Sequence, residues 1–516
     1  MKTDAKFVWF DDKGEGRNLY AAFRKNFVCR ASVSKAVISV FADSAYHLYV
    51  NGQFVNFGPA RFNPKFPEYD TYDITTLLIT GKNTISILVN YFGTKTYKNI
   101  ENCAGFIAWG KAVLKNGKTI TFDTAVTEWK TSKIEAYDKD APKLSFALNP
   151  MEIYDQKKEL KDWKKTDYDD SSWACAFALE NQNCWGKLLA RSIPFLSETE
   201  IKPEKLLGIY PLKREERSFS FKVPVPEFYI RKQETGDTKK QYIFFKTWLH
   251  SPVKQNITVG LFWGEYWLNG KEIGNRIHSE NSSLRYNHRI SLEAGWNYFF
   301  GYVTVYLDEF SFYINLPADS GVEPYAQKDI SCPYSFSYTS VLRQSDFDKI
   351  SKSGFPLPDD LYKDLNWNLW NRNRTAGNPG RENDLDFYGE KFERLGIEDL
   401  QNHIFKKDDY PDGIAIVLDL GKTSLVRIGL GAEGVRNVIV DFSFSERLHH
   451  QKKLLLYLNH AYHASARVFF SENSVYWETF HHYGGRYVAI TFRNLKQDIK
   501  ITNLKFISAN YPVEQK

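Results

Sequence analysis

The chain has 516 residues, more than one hydrophobic core organises, so three or more domains are expected. Lys and Arg number 68 against 62 Asp and Glu, a net +6 with no basic stripe, which argues against nucleic acid as a partner. Aromatics make up 16 % of the residues and read mainly as strand-forming core; no run reaches the roughly 18 apolar residues of a membrane span, so no membrane is expected.

The first unit is placed at 1–205. Alternation marks strands at Ala36–Ala42, His47–Val50, Thr84–Tyr91 and Phe106–Leu114, and Asn116-Gly117 is the hairpin turn into Thr119–Phe122. Asp169-Asp170-Ser171-Ser172-Trp173 reads as a turn anchored by a buried Trp. The second unit, 206–340, repeats an element of the first. Tyr266-Trp267-Leu268-Asn269-Gly270 followed by Gly295-Trp296-Asn297 echoes Tyr46 to Gly52 followed by Gly81-Lys82-Asn83. Two copies of a strand ending in Asn-Gly, then a Gly-x-Asn turn into a return strand, predict two sandwiches of one design. Residues 341–409 read as a long irregular linker packed through Trp367 and Trp370. The third unit, 410–516, has strands at Ile414–Leu420, Val438–Phe444 and Arg486–Phe492. No long capped amphipathic helix is found, so the fold is expected to be all-β, with tandem antiparallel sandwiches.

Five cysteines, Cys29, Cys103, Cys175, Cys184 and Cys332, are an odd number without a CxxC motif. They read as reduced thiols, although Cys175 and Cys184 could pair. The N-terminus has no apolar run of signal-peptide length, so the chain as written reads as cytoplasmic.

Several segments together resemble the non-catalytic N-terminal half of bacterial α-L-rhamnosidases. They are Ala45 to Arg61 with Tyr69 to Ile74 and Gly81 to Asn83; Asp169 to Trp173 with Arg191-Ser192-Ile193-Pro194; and Phe442 to Leu448 with Phe480 to Val488. The resemblance implies galactose-binding-like jelly-roll sandwiches ahead of a six-hairpin α/α barrel. That barrel carries two carboxylates about 6.5–9.5 Å apart for inverting hydrolysis. The sequence ends at Lys516, about where the barrel would begin, so no catalytic residue is carried over. The implied role is the carbohydrate-binding or scaffold portion of a rhamnosidase-like glycoside hydrolase acting on rhamnose-containing glycans. The alternative is a stand-alone carbohydrate-binding accessory protein without hydrolase activity. A third reading, a hydrolase site inside the sandwiches, would need carboxylates such as Glu265 and Glu293 to converge.

In related sandwiches the loop corresponding to 93–102 meets sugar, sometimes with calcium. Asn99, Glu101 and Asn102 are therefore the candidate sugar contacts, and one carboxylate is thin for calcium. Arg61, after Gly58-Pro59-Ala60, is a fourth candidate contact, or else a brace for Glu68 or Asp70. His449, His450, His460, His463, His481 and His482 crowd the third unit, but His460-Ala461 departs from a zinc HExxH, so no metal site is assigned. Glu446, in phase with Val438, Val440, Phe442 and Phe444, is expected with Arg486 to fix the face that abuts a barrel. No pattern specifies an oligomer.

Overall fold

A computed structural model describes residues 3–512, apart from 98, 146, 180–183, 215, 225–240, 262–263, 275–286, 306–308, 356–364, 372–385, 389–394 and 449–463. The architecture is an all-β sandwich fold. The first sandwich pairs two antiparallel-rich sheets. In the six-stranded sheet the order is Ala174–Cys175, Lys130–Lys133, Leu19–Cys29, Gly81–Tyr91, Ala45–Val50 and Gln53–Gly58. Facing it, a seven-stranded sheet runs through Phe177–Ala178, Val8–Trp9, Gly105–Leu114, Val33–Asp43, Glu68–Asp73 and Leu189–Ala190, with Thr119–Thr121 beside Gly105–Leu114. Phe23, Ile38, Val40, Ile85, Ile87 and Phe106 fill the layer between them.

The six-stranded sheet is buried on both faces. Ala21 and Phe23 point into the first core, while Tyr20 and Ala22 point the other way, into a second core shared with the third sandwich. Leu88 and Tyr49 join them there, against residues such as Phe442, Trp477 and Phe480. Continuous burial of Leu19 to Lys25 follows, where a one-faced strand would alternate.

The third sheet has eleven strands around the long Gly413–Glu433 strand, which pairs with Lys205–Arg214 on one side and Tyr483–Arg493 on the other. Segments from the first unit also enter it: Ile153–Asp155 runs parallel to Ser465–Phe469, and Ser197–Ile201 runs antiparallel to Ile499–Asn510. Residues 206–214, placed by sequence at the start of the second unit, thus belong to the third sheet. The chain leaves that sheet at Arg214 and re-enters at Asp386, the residue paired with it.

The second sandwich is therefore an insertion. Its four-stranded sheet holds Glu216–Pro224, Glu309–Pro317, Gln255–Leu261 and Asn287–Leu292; its eight-stranded sheet centres on Gln241–Ser251 and Gly295–Val305. Phe245, Leu249, Phe299, Phe312 and Ile314 fill the core. The stretch expected as irregular linker contributes order here. Trp367–Asn371 is a strand of the eight-stranded sheet, with Trp370 in the core. Helix Gln344–Ser351 lies on the sheet's outer face, its Phe347 stacked on Tyr242 at 3.7 Å.

The repeated Asn-Gly motif has one geometry in both sandwiches. Asn51 and Gly52 both take positive φ, as do Asn269 and Gly270, the backbone of a tight hairpin that β-branched residues resist. Asn51 Nδ2 donates to Asn83 Oδ1 at 2.9 Å, and Asn269 Nδ2 donates to Asn297 Oδ1 at 2.9 Å. Asn83 in turn accepts from the Ile79 N–H, as Asn297 does from that of Glu293, both at 2.9 Å. The repeat is thus a side-chain lock between two neighbouring turns.

One cysteine expectation is corrected. Cys103 and Cys184 form a disulfide across 81 residues, with Cα atoms 6.0 Å apart. Cys175, the partner suggested by sequence proximity, is a free exposed thiol. Strand packing, which spacing does not reveal, sets the pairing. Among the described residues no helix is long and apolar enough to cross a membrane.

Candidate functional site

The loop 93–102 leaves strand Gly81–Tyr91 at the rim of the first sandwich. Gly93, with φ 55°, lets it start there, because a Cβ would lie 1.8 Å from the Gly16 carbonyl oxygen. The Tyr97 N–H donates to the Ala147 carbonyl at 2.9 Å, and Lys143 Nζ to the Lys95 carbonyl at 2.8 Å, so the loop is held from behind.

Beneath it lies Asp43, fully buried. Its carboxylate accepts from Ser44 Oγ at 2.9 Å and from Trp185 Nε1 at 3.2 Å, and the Asn99 and Asn102 amides lie against it. Burial raises the Asp43 carboxyl to about 6, and these donors limit the rise. Asn99 is itself buried, its Nδ2 donating to Ser44 Oγ at 3.2 Å. Asn99 thus turns inward to brace the loop, the Asn102 amide nitrogen is buried as well, and Glu101 is half-buried.

The side chains facing outward are Tyr97, 70 % exposed, and Ile100, 53 % exposed. Sequence reasoning passed over both. The available signal was a lone aromatic and a lone aliphatic in a Thr-, Lys- and Asn-rich loop, where no core requires them. With Asn99 engaged below and Glu101 the one carboxylate of the loop, this donor set does not fit calcium. Among the described residues no group of three or more His, Cys, Asp or Glu could hold a metal ion.

Arg61 is exposed. The guanidinium on Asp70 belongs to Arg191, whose Nη1 donates to Oδ1 at 2.8 Å, while Tyr46 Oη donates to Oδ2 at 2.5 Å. Ser192 takes Glu68 by its N–H and hydroxyl. Gly58 permits this junction, since a Cβ there would sit 2.1 Å from Asp70 Oδ2. Burial raises the Asp70 carboxyl against the opposing bonds from Tyr46 and Arg191. Farther along, Asp170 accepts from Arg24 Nε at 2.9 Å and Asn26 Nδ2 at 2.7 Å beside the buried Trp173, so the Asp-Asp-Ser-Ser-Trp element is a structural anchor.

In the third sandwich Glu446 is exposed, one residue past the strand Ile439–Ser445. Arg486 grips Asp419 with two bonds of 2.8 and 2.9 Å. The seam between the first and third sandwiches is a separate contact, built by further groups. Glu152 is fully buried and accepts from the Phe480 and His481 N–H groups, both at 2.7 Å, and from Tyr483 Oη at 3.2 Å. Burial raises its carboxyl to about 7, with those N–H groups opposing. Between the sandwiches, His481 Nε2 meets Asn90 Oδ1 at 2.8 Å, and His47 stacks on Phe480 at 4.0 Å. Arg427 donates twice to Glu198 at 2.9 Å, pairs with Glu478 and sits over the Phe54 ring at 4.8 Å, while His482 meets Glu198 at 2.9 Å. His449, His450, His460 and His463 lie outside the described residues.

In the second sandwich Glu265, Glu272, Tyr266, Ile273 and His288 line an open cavity of about 440 Å³. Glu293 is elsewhere, paired with Lys254 at 2.9 Å on the exposed surface. The sequence-nominated carboxylates Glu265 and Glu293 are therefore not brought together around one cleft.

Residues 31–197 match the family model of the α-L-rhamnosidase N-terminal domain. A 193-residue stretch is 28 % identical to an α-L-rhamnosidase of Formosa agariphila, covering 34 % of this chain and 19 % of that protein. Among solved structures, the GH78 family rhamnosidase of Bacillus sp. GL1 shares the fold with a TM-score of 0.80 at 20 % identity, over 100 % of this chain and 56 % of that one. The chain thus carries an N-terminal rhamnosidase-like region, and it spans about half the length of that solved neighbour and a fifth of the curated relative.

Proposed function

We propose that this chain supplies the sandwich scaffold and a carbohydrate-contacting loop of an α-L-rhamnosidase-like glycoside hydrolase acting on rhamnose-containing glycans, without turning over the glycosidic bond by itself. The observation that supports this reading is the loop 93–102. It lies inside the matched region 31–197, presents Tyr97 and Ile100 outward, and rests on the donors around Asp43. A rigidly held exposed aromatic ring offers a flat apolar face to the C–H side of a pyranose, and its hydroxyl offers a hydrogen bond at the edge. Asn99 and Asn102 then act as positioning residues for that loop.

Two assays test the reading. Incubation of the chain with an aryl α-L-rhamnoside is expected to release no aryl alcohol above the uncatalysed rate; turnover by the chain would overturn the non-catalytic role. Titration with L-rhamnose in a calorimeter is expected to give saturable heat that a chelator leaves unchanged, because the donor set does not suit calcium. Loss of binding on chelation would restore the metal.

A further inference from the structure

We propose that the Cys103–Cys184 disulfide is a redox-sensitive clamp on the loop 93–102, so that its reduction loosens the loop and weakens saccharide binding. The proposal rests on the carbohydrate-contact reading of that loop for its consequence, but not for its mechanics.

The argument is one of placement. Asp43 is the buried post beneath the loop: Trp185 Nε1 donates to its carboxylate at 3.2 Å, and so at 2.9 Å does Ser44 Oγ, which in turn accepts from Asn99 Nδ2 of the loop at 3.2 Å. Asn102 immediately precedes Cys103 and Asn99 lies four residues before it, whereas Trp185 immediately follows Cys184. The disulfide therefore ties together, across 81 residues, the segment that reaches Asp43 directly through Trp185 and the loop that reaches it through Asn99 and Ser44. Trp185 is further fixed by stacking on Phe7 at 4.0 Å, over a Gly105 whose Cβ would lie 2.3 Å from the indole. One tether point is thus anchored in the first core, and the bond transmits that anchorage to the end of the loop. Beside this covalent tie the loop is held by separately breakable hydrogen bonds, among them Asn99 Nδ2 to Ser44 Oγ, the Asn99 N–H to Thr96 Oγ1 at 2.8 Å, Tyr91 Oη to the Asn102 carbonyl, and the contacts from Ala147 and Lys143 described above.

Both half-cystines are half-buried, so a small dithiol can reach the bond. In the reaction a dithiol thiolate attacks one sulfur and displaces the other as thiolate. The second dithiol sulfur then closes the reductant to its own disulfide, leaving Cys103 and Cys184 as two thiols. Two electrons and two protons pass from reductant to protein. Cys29 and Cys332 are buried and Cys175 is exposed, all free, so the pair is the redox couple among the five cysteines.

The experiment uses the whole chain, oxidised or treated with dithiothreitol. Alkylation under denaturing conditions should label three thiols before reduction and five after it. Tryptic cleavage at the loop lysines Lys95 and Lys98 should then accelerate about tenfold on reduction. A Cys103→Ser/Cys184→Ser variant should be cut at the fast rate with or without reductant, and Cys175→Ser should behave as the parent. In parallel, reduction should raise the calorimetric Kd for L-rhamnose about tenfold. Five labelled thiols without reduction, or equal cleavage rates in the two redox states, would overturn the clamp. If the oxidised chain binds no L-rhamnose while cleavage still accelerates on reduction, the carbohydrate reading fails and the clamp stands. Should the double variant not fold, the reduced parent still provides the comparison.

Discussion

At the scale of single residues, the candidate site shows how little side-chain direction can be read from composition. Asn99 and Asn102 are the residue types that bind sugar hydroxyls, yet they are also the types that satisfy a buried carboxylate, and Asp43 lies more than 50 residues earlier in the chain. Tyr97→Ala and Ile100→Ala are expected to leave the thermal midpoint nearly unchanged, within about 0.5 kcal/mol of the parent, because both side chains face solvent. Asp43→Ala is expected to destabilise by about 1–3 kcal/mol, since it orphans the Ser44 hydroxyl and the buried Trp185 indole N–H. Denaturant midpoints distinguish these outcomes.

The buried carboxyls also set a pH dependence. Burial raises Asp43 from 3.8 to about 6 and Glu152 from 4.5 to about 7 in the folded chain. Between the unfolded and folded values the native state binds more protons than the unfolded state, so these groups make stability fall as pH rises through those windows. Above about pH 7 both are ionised in both states and contribute no further slope. Glu152→Gln should therefore flatten the decline in stability between about pH 4.5 and 7 relative to the parent, as read by urea midpoints across that range. An unchanged slope would mean that Glu152 does not titrate in that window.

At the scale of elements, strands and their turns were legible. The repeated Asn-Gly and Gly-x-Asn pairs predicted two hairpin-linked sandwiches because positive φ and short spacing restrict which residues fit. The lock between Asn51 and Asn83, and its twin between Asn269 and Asn297, predicts matching effects. Asn83→Ala and Asn297→Ala should each destabilise by about 1–3 kcal/mol, since each leaves an Asn amide and a backbone N–H without their acceptor. Ion pairs were not legible. Asp70 takes Arg191 from 121 residues away, in place of the nearby Arg61, because strand pairing brings Leu189–Ala190 alongside Glu68–Tyr69. Asp441, fully buried in its own strand, is shared by Arg467 and Arg493 on the two flanking strands. Asp441→Ala should destabilise by about 3–5 kcal/mol by stranding two guanidinium groups, whereas Asp419→Ala beside the half-exposed Arg486 should have a far smaller effect on the denaturant midpoint.

At the scale of the whole molecule, the all-β character followed from alternation and the absence of helical periodicity, but the order of chain through space did not. A period-2 pattern reports that a strand has a buried face and is silent on which sheet receives it. Thus Ile153–Asp155, Ser197–Ile201 and Lys205–Arg214 sit in the third sheet, and the second sandwich emerges between the paired residues Arg214 and Asp386. The first and third sandwiches share one core through Tyr20, Ala22, Tyr49 and Leu88, with Glu152, His481 and Arg427 at their seam. They form the rigid frame on which the loop 93–102 is mounted. Under the function proposed above, this frame is what holds a saccharide in register with chemistry performed elsewhere in a rhamnosidase-like enzyme.

The most direct measurement of that account is calorimetric titration of L-rhamnose into the oxidised chain and into Tyr97→Ala. The account predicts saturable heat for the parent and a Kd at least about tenfold weaker for the variant, equivalent to about 1.4 kcal/mol or more. Equal affinity for both chains, or no heat for the parent, would contradict it.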